Sequence, residues 1–228
     1  IGETVRFGHW KDTAVRVTGG LALECSALFC EHWNELGKGG KITPDPSSLP
    51  QGNAFGAAFA DGAYGARTGA AVHAALIYGA ARSLYLCTPY LAPDATLISA
   101  LKAAAYAGLD VRVMIPHIPD KKTTFLLSRA FARELIRAGV QVREYTAGFL
   151  HAKSAVADGE HCVVSSYNFD FRSMYLQAEC GVYVQSAALA EAMERDFLSV
   201  WETGTELTKA RPSERFTGGL MRLIAPLV

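Results

Sequence analysis

Short runs in which apolar residues alternate with polar or small ones are separated along this chain by longer stretches of helical periodicity. Strand-type alternation is found at Asp12–Thr18, Asn53–Ala60, Ser83–Thr88, Val111–Ile115, Val140–Tyr145, Gly148–Asp158, Cys162–Ser166 and Gln177–Gln185. Helical spacing covers Gly20–Leu36, with Leu21, Leu28, Phe29 and Trp33 on one face, then Gly69–Arg82, Asp94–Tyr106, Thr123–Ala138 and Ala187–Glu202. Pro93 and Gly108 bracket the third of these helices, and Gly139 closes the fourth. Residues 1–10 show neither period and read as a loop-like lead-in. The regular exchange of strand and helix after Asn53 predicts an α/β fold, a mixed sheet flanked by helices on both faces.

Composition shifts divide the chain. Gly37-Lys38-Gly39-Gly40 and the Pro/Ser/Gly-rich run to Gly52 read as a linker. The expected division is a tail of one unit at 1–40, linker and first strand at 41–70, a main α/β unit at 71–205, and an amphipathic C-terminal segment at 206–228. The chain also repeats part of itself. A strand at Asp12–Val17 leads to a helix with Phe29 and Trp33, and a strand at Glu179–Val184 leads to a helix with Phe197 and Trp201. The aromatic pairs are offset by 168 positions (197 − 29, 201 − 33), and the acids Asp12 and Glu179 by 167 (179 − 12). The chain is therefore expected to begin near the end of one copy and to hold a complete second copy.

Charge and cysteine content narrow the function. The 228 residues carry 22 basic and 22 acidic side chains, so the net charge is zero. A non-specific nucleic-acid binder is usually basic, and nucleic acid is not expected as a partner. Cys25, Cys30, Cys87, Cys162 and Cys180 are odd in number, lie in apolar runs and form no Cys-x-x-Cys, so they read as buried free thiols and not as zinc ligands. The longest uncharged stretch, Thr68 to Ala81, is shorter than the roughly 20 residues a membrane span needs. With no leader-type segment and no initial Met, the chain is expected to be an excerpt or a processed piece, with any spanning segment upstream. The segment 206–228 carries Phe216, Leu220, Met221, Leu223, Ile224 and Leu227 beside Arg211, Arg215 and Arg222. It suits an anionic membrane surface or a helix docked on the domain.

The candidate chemistry sits at Gly148–Asp158. Residues two apart on a strand share a face, so His151 and Lys153 point one way, while Asp158 lies at the Asp158-Gly159 turn and faces elsewhere. A hairpin turned there returns Ser166 and Asn168 beside His151 and Lys153. A cation and two neutral hydrogen-bonding groups suit the non-bridging oxygens of a phosphate diester, and an imidazole can attack phosphorus or move a proton. Glu179 lies mid-strand between Ala178 and Cys180. Either it partners His151 or it is an edge-strand glutamate facing water. Tyr90, at the C-terminal end of a strand, is placed for substrate contact or for packing. Asp170 and Arg172 read as an ion pair or a cap. His9 and Lys11 also have His-x-Lys spacing, but the matching acid position is Arg16. His32, His73, His117 and His161 carry no such pattern.

His151-x-Lys153-x4-Asp158, followed by Ser166-x-Asn168, resembles the HKD motif of the phospholipase D superfamily. Thr88-Pro89-Tyr90 and Asn168-Phe169-Asp170-Phe171-Arg172-Ser173 resemble its bacterial cardiolipin synthase branch. The resemblance is nearly continuous from about Val72 to Trp201. Departures are Ser165 where Gly is usual, Gln177 where Asn is usual, and a Gly/Ala-rich 53–70. The resemblance implies a phosphatidyltransferase acting on phosphatidylglycerol-like phospholipids at a membrane surface, on the cytoplasmic face of the bacterial inner membrane, through a phosphohistidine and with no metal or organic cofactor. It implies catalytic roles for His151, Lys153, Asp158, Asn168 and Glu179, with His151 as acid/base and Lys153 and Asn168 holding phosphate. Ser166 and Tyr90 would contact substrate, and Asp12 would be the acid of an absent first copy. Two motifs share one site in such enzymes, so the partner is a missing N-terminal HKD half or a second copy of this chain. A phosphodiesterase or nuclease using water, or an inactive half-site, are the alternatives.

Overall fold

A computed structural model describes residues 3–4, 7–37, 39–46, 52–62 and 67–207. In chain order the elements are β1 (Glu3–Thr4), β2 (Gly8–Lys11), α1 (Gly20–Leu36), β3 (Phe55–Asp61), α2 (Thr68–Gly79), β4 (Ser83–Cys87), β5 (Leu91–Ala92), α3 (Ala95–Tyr106) and β6 (Asp110–Pro116). There follow α4 (Lys122–Arg137), β7 (Gln141–Tyr145), β8 (Gly148–Leu150), β9 (Ser154–Ala157), β10 (His161–Ser165), β11 (Phe169–Asp170), α5 (Phe171–Leu176), β12 (Glu179–Gln185), α6 (Ala187–Thr203) and β13 (Thr205–Glu206). Local signals set several boundaries. Asp94 caps α3 by accepting from Leu97 N at 2.8 Å, and Ser186 caps α6 by accepting from Leu189 N at 3.3 Å. Gly37, at φ 62°, ends α1 in the left-handed conformation that glycine adopts without strain.

The predicted mixed sheet is present, with eight strands in the order β13-β7-β6-β4-β9-β10-β12-β3. β4, β6 and β7 run parallel, as strand–helix–strand crossovers require, and β9, β10, β12 and β3 add antiparallel hairpin-type pairs. Helices α2, α3 and α4 cover one face over a core that includes Leu84, Leu101, Val113, Leu135 and Val163. α6 covers the other face with Met193, Phe197, Val200 and Trp201. α1 lies farther along that second face, over β3.

Two readings from the sequence are corrected, and one stretch carries elements it did not reveal. The strand expected at Asp12–Thr18 is instead Gly8–Lys11, most of it inside the stretch 1–10 read as loop-like. GHWK has one large apolar residue, so alternation cannot reveal it; its partner β8 lies far away in sequence. Gly148–Asp158 is two strands and not one. β8 pairs with β2 in a small sheet ordered β1-β2-β8, and β9 joins the large sheet, so the chain changes sheets at residues 151–153. The Asn-Phe-Asp-Phe-Arg-Ser stretch carries the parallel β5–β11 pair and the one-and-a-half-turn α5, too short to leave a periodic signal. The C-terminal segment expected to be amphipathic lies outside the described residues from 208 onward.

The repeat has a structural counterpart with opposite burial. Phe197 and Trp201 stack at 5.5 Å between centroids and are each 4% exposed. Phe29 and Trp33 stack at 6.0 Å in the same way, yet are 61% and 41% exposed.

Close backbone approach depends on one glycine. A Cβ on Gly148 would sit 2.0 Å from the His9 carbonyl oxygen, a clash with backbone that no rotamer relieves. Gly148→Ala is expected to cost about 1–3 kcal/mol, the usual range for overpacking, by prising β2 from β8. Gly79→Ala, with nothing within 4 Å of the added carbon, should leave the melting midpoint unchanged or slightly raised. Thermal unfolding of the two variants side by side checks this.

Candidate active site

β2 and β8 run parallel in the register His9↔Gly148, Trp10↔Phe149, Lys11↔Leu150. The next residue on each strand is therefore Asp12 beside His151. Past Leu150 the chain bends, and the Lys11 carbonyl accepts from both His151 N at 2.7 Å and Ala152 N at 3.0 Å. Ala152 is fully buried, so its neighbours His151 and Lys153 turn outward together, as expected. The hairpin then carries Ser165 back to Lys153, whose carbonyl accepts from Ser165 N at 3.1 Å.

His151 Nδ1 lies 2.8 Å from Asp12 Oδ2. A carboxylate cannot donate, so Nδ1 carries the proton, and Nε2 presents its lone pair to the Lys153 ammonium 3.1 Å away. Asp12 Oδ1 accepts from Thr13 N at 2.9 Å, which fixes the carboxylate from behind. The imidazole is half-exposed and packs against the Trp10 ring, 5.2 Å between centroids. Lys153 Nζ also donates to the His151 carbonyl at 2.6 Å. Burial pulls the Lys153 pKa below the ordinary lysine value, while the Asp12 and Glu179 carboxylates pull it back up.

Asn168 is held through its backbone. Its N–H donates to Ser173 Oγ at 2.9 Å, and Ser173 Oγ donates to Glu179 Oε1 at 2.8 Å. Asn168 Oδ1 and Ser165 Oγ are buried with no partner among the described residues. Tyr90 donates a short hydrogen bond to Asp120 and lies beneath the Lys121 ammonium, 5.6 Å from the ring centroid. Burial, and then Asp120, pushes the Tyr90 hydroxyl well above the ordinary tyrosine value.

The geometry separates the expected residues. His151 and Lys153 meet, and Glu179 lies near enough to act on the Lys153 charge. The acid on His151 is Asp12, however, and not Glu179, whose carboxylate accepts from Ser173. The Ser166 hydroxyl is bonded to the β12 backbone, accepting from Cys180 N at 3.0 Å and donating to Cys180 O at 3.2 Å. Asp158 sits at the far end of β9, roughly 16 Å along the strand from Lys153 at about 3.3 Å per residue. It accepts from Ala81 N, Arg82 N and Ser83 N at 2.7, 2.7 and 2.9 Å. Burial works to raise its pKa, but those three amides overcome it, and the net shift is downward. Asp158 clamps the entry to β4. Asp170 caps α5, accepting from Ser173 N at 2.7 Å.

Two residues escaped the sequence reading. Asp61, paired with Glu179 across β3–β12, accepts from Thr68 N at 2.6 Å, Gly69 N at 2.9 Å and Tyr167 Oη at 2.9 Å, and so seats the start of α2. Lys11 belongs to the pair described below. Nothing in local spacing marks either, because Tyr167 and Glu179 for Asp61, and Asp196 for Lys11, are remote in sequence.

Asp170 gives a pH signature. Burial pushes its carboxyl up to about 6, against the lowering effect of the Ser173 amide, and Glu179 adds to the rise. A raised acid binds its proton more tightly in the folded state. Its contribution is thus full below the unfolded value near 4 and is lost as pH rises to about 6, a loss of roughly 3 kcal/mol. Asp170→Asn keeps an oxygen for the cap. It should remove this slope and exceed the parent in stability at pH 8, as measured by urea unfolding at pH 4, 6 and 8.

Residues 74–201 match the family described as cardiolipin synthase, phospholipase D (PLD)-like domain. The cardiolipin synthase of Geobacillus sp. strain WCH70 is 32% identical over 238 residues, covering 100% of this chain and 47% of that protein. The cardiolipin synthase of Staphylococcus aureus strain Mu50 is 31% identical over 245 residues, covering 100% of this chain and 48% of that protein. This chain therefore spans about half the length of the curated relatives it matches. Among solved structures, the fold is shared with Nuc, a phospholipase D family member from Salmonella typhimurium, at TM-score 0.57 and 18% identity over 69% of this chain and 100% of that one. It is also shared with the phosphatidylserine synthase of Haemophilus influenzae Rd KW20, at TM-score 0.59 and 16% identity over 86% and 51% of the two chains.

Proposed function

This chain belongs to the cardiolipin synthase, PLD-like domain family, and from that premise we propose that it supplies one half of a phosphatidyltransferase site. The reaction moves a phosphatidyl group from one phospholipid to the hydroxyl of another, the substrates being phosphatidylglycerol-like. The observation that carries this reading is the Asp12–His151–Lys153 array, a carboxylate on Nδ1 and an ammonium at Nε2 of one half-exposed imidazole. A phosphate diester entering beside Nε2 displaces the ammonium from the ring and takes it as its own counter-charge. In this reading the Asn168 side-chain NH₂ is the donor to a phosphate oxygen, while its Oδ1, buried without a partner among the described residues, can only accept.

In the proposed sequence, a second imidazole attacks phosphorus and forms a phosphohistidine. Once the phosphate has drawn the Lys153 ammonium away, Nε2 takes up a proton from solvent; the P–O bond to the leaving alcohol then breaks, and the His151 imidazolium gives that oxygen the Nε2 proton. The incoming hydroxyl then loses its proton to the neutral Nε2 and attacks the phosphohistidine. The second imidazole leaves with its electron pair restored, and protons balance over the two steps. Asp12 stabilises each imidazolium interval without moving a proton itself. Glu179 stands where the repeat puts a counterpart of Asp12. It is left to serve an imidazole from outside these residues, supplied by an N-terminal half or by a second copy. The division into a first-copy tail, a linker and a second PLD-like unit follows the same reading.

Among the described residues no helix is long and apolar enough to cross a membrane, so attachment at the cytoplasmic face of the bacterial inner membrane is proposed to be peripheral for this part. The test is incubation of the full-length protein with phosphatidylglycerol vesicles. Glycerol release with phosphatidyl transfer to a second lipid is the expected result. Phosphatidic acid as the sole lipid product identifies water as acceptor, and cleavage of added DNA identifies a nuclease; either overturns the transferase reading.

A further inference from the structure

An ion pair set apart from the phosphate-facing groups ties Asp12 to the body of the fold, and we propose that Lys11–Asp196 is the device that positions the His151 imidazole. This rests on the proposed role of His151, but its first readout does not. Lys11 is the last residue of β2. Its carbonyl holds the His151 and Ala152 amides, and its next neighbour is Asp12. Its side chain crosses to α6, where Nζ lies 2.8 Å from Asp196 Oδ1 and 2.6 Å from Oδ2. The lysine is 14% exposed and the aspartate 47%, so the ammonium is the more deeply placed partner.

Register is what this pair controls. β2 has four residues, and its strand neighbours β1 and β8 have two and three. The ring cluster of Phe7, Trp10 and Phe149 buries the small sheet, with Trp10 and Phe149 4.8 Å apart, but ring contacts tolerate sliding. A bidentate contact to α6 does not. A slip of one residue would bring Lys11 or Thr13 opposite His151 in place of Asp12. α6 is itself fixed to the large sheet by Phe197, Val200 and Trp201, so the pair references Asp12 to a rigid body. Lys11 and Asp196 are positioning residues; neither is placed against the phosphate.

The first test is ¹⁵N NMR of the His151 ring in the 228-residue chain, comparing Asp196→Asn, Lys11→Met, the double variant and Lys11→Arg. The parent and Lys11→Arg should show the single tautomer with the proton on Nδ1. Asp196→Asn and Lys11→Met should show averaging between the two tautomers, and the double variant should match either single one, as expected for partners in one interaction. Lys11→Met leaves no ammonium to bury, so it keeps the test open even if Asp196→Asn unfolds. In the full-length protein, kcat should fall on the order of 10–100-fold with KM within about threefold, the scale of a misplacement near 1 Å. An unchanged Nδ1–H signature in Lys11→Met, or additive effects in the double variant, overturns the inference. Tautomer averaging in the variants of a protein that turns over no lipid sustains the positioning role and removes the functional reading instead.

Discussion

His151→Ala is expected to abolish phosphatidyl transfer in the full-length protein while leaving the fold intact. The imidazole is half-exposed, and its removal empties no core position; Ala152 and Leu150 carry the packing there. On the proposed mechanism, what is lost is the group that protonates one alcohol and deprotonates the next. General acid–base help is worth roughly 10²–10⁴-fold per step, and both steps use this ring. The steps run in sequence, so the slower one sets the rate, and residual turnover is expected at about 10⁻²–10⁻⁴ of the parent. A near-parental rate would remove His151 from the mechanism. The phosphoenzyme separates the two steps. If another imidazole is the nucleophile, a substrate whose leaving group needs no proton should still phosphorylate the variant, and the adduct should persist because no base activates the acceptor. Acid-quench ³²P labelling reads this directly.

Asp12→Asn should be the next most damaging change. An amide can occupy the carboxylate's place, but it presents an NH₂ donor or a neutral oxygen to Nδ1. The ring is then free to carry its proton on the wrong nitrogen, and the imidazolium loses its counter-charge. The comparable change in a serine-protease triad lowers kcat by about 10⁴, which is the order expected here. The prediction separates two wirings. If Glu179 were the acid of His151, Asp12→Asn would matter little; the 2.8 Å contact puts the loss on Asp12. Substitution of Glu179 should act differently, by loosening the Ser173–Asn168 support and by withdrawing the acid from the other imidazole. Tautomer-resolved NMR of His151 in both variants distinguishes them, since only Asp12→Asn should change the ring.

Much of this architecture is written in local pattern. The Asp158-Gly159 turn, the alternation on either side of it, and the His-x-Lys and Ser-x-Asn spacings place the end of β9 and the whole of β10 within a residue or two. Pro93, Asp94 and Gly108 do the same for α3. The failures share one cause. Gly8–Lys11 becomes a strand because β8 is there to pair with it, 139 residues on from Asp12 to His151, and no window of sequence contains both. The repeat offset proposes Asp12 and Glu179 as counterparts, but which acid faces His151 is a matter of strand pairing. Asp158, inside the motif, takes a catalytic role only from resemblance; with a positive φ of 57° and three amide partners it builds the turn and locks it to β4. Spacing puts Ser166 at the end of its hairpin, but its bonds to the Cys180 backbone depend on a neighbouring strand that spacing does not reveal.

The parallel docking of β2 on β8 has a consequence for how such polypeptides can be cut and recombined. A truncation at the glycine-rich run after Leu36 follows the visible seam in composition, yet it would yield a well-formed sheet whose histidine has no anion behind it. The inheritable unit is discontinuous: an eight-stranded body plus a short ribbon from the other side of the seam. Chimeras that exchange halves at that seam should therefore fold far more often than they work, and restoring the ribbon along with the body should bring function back.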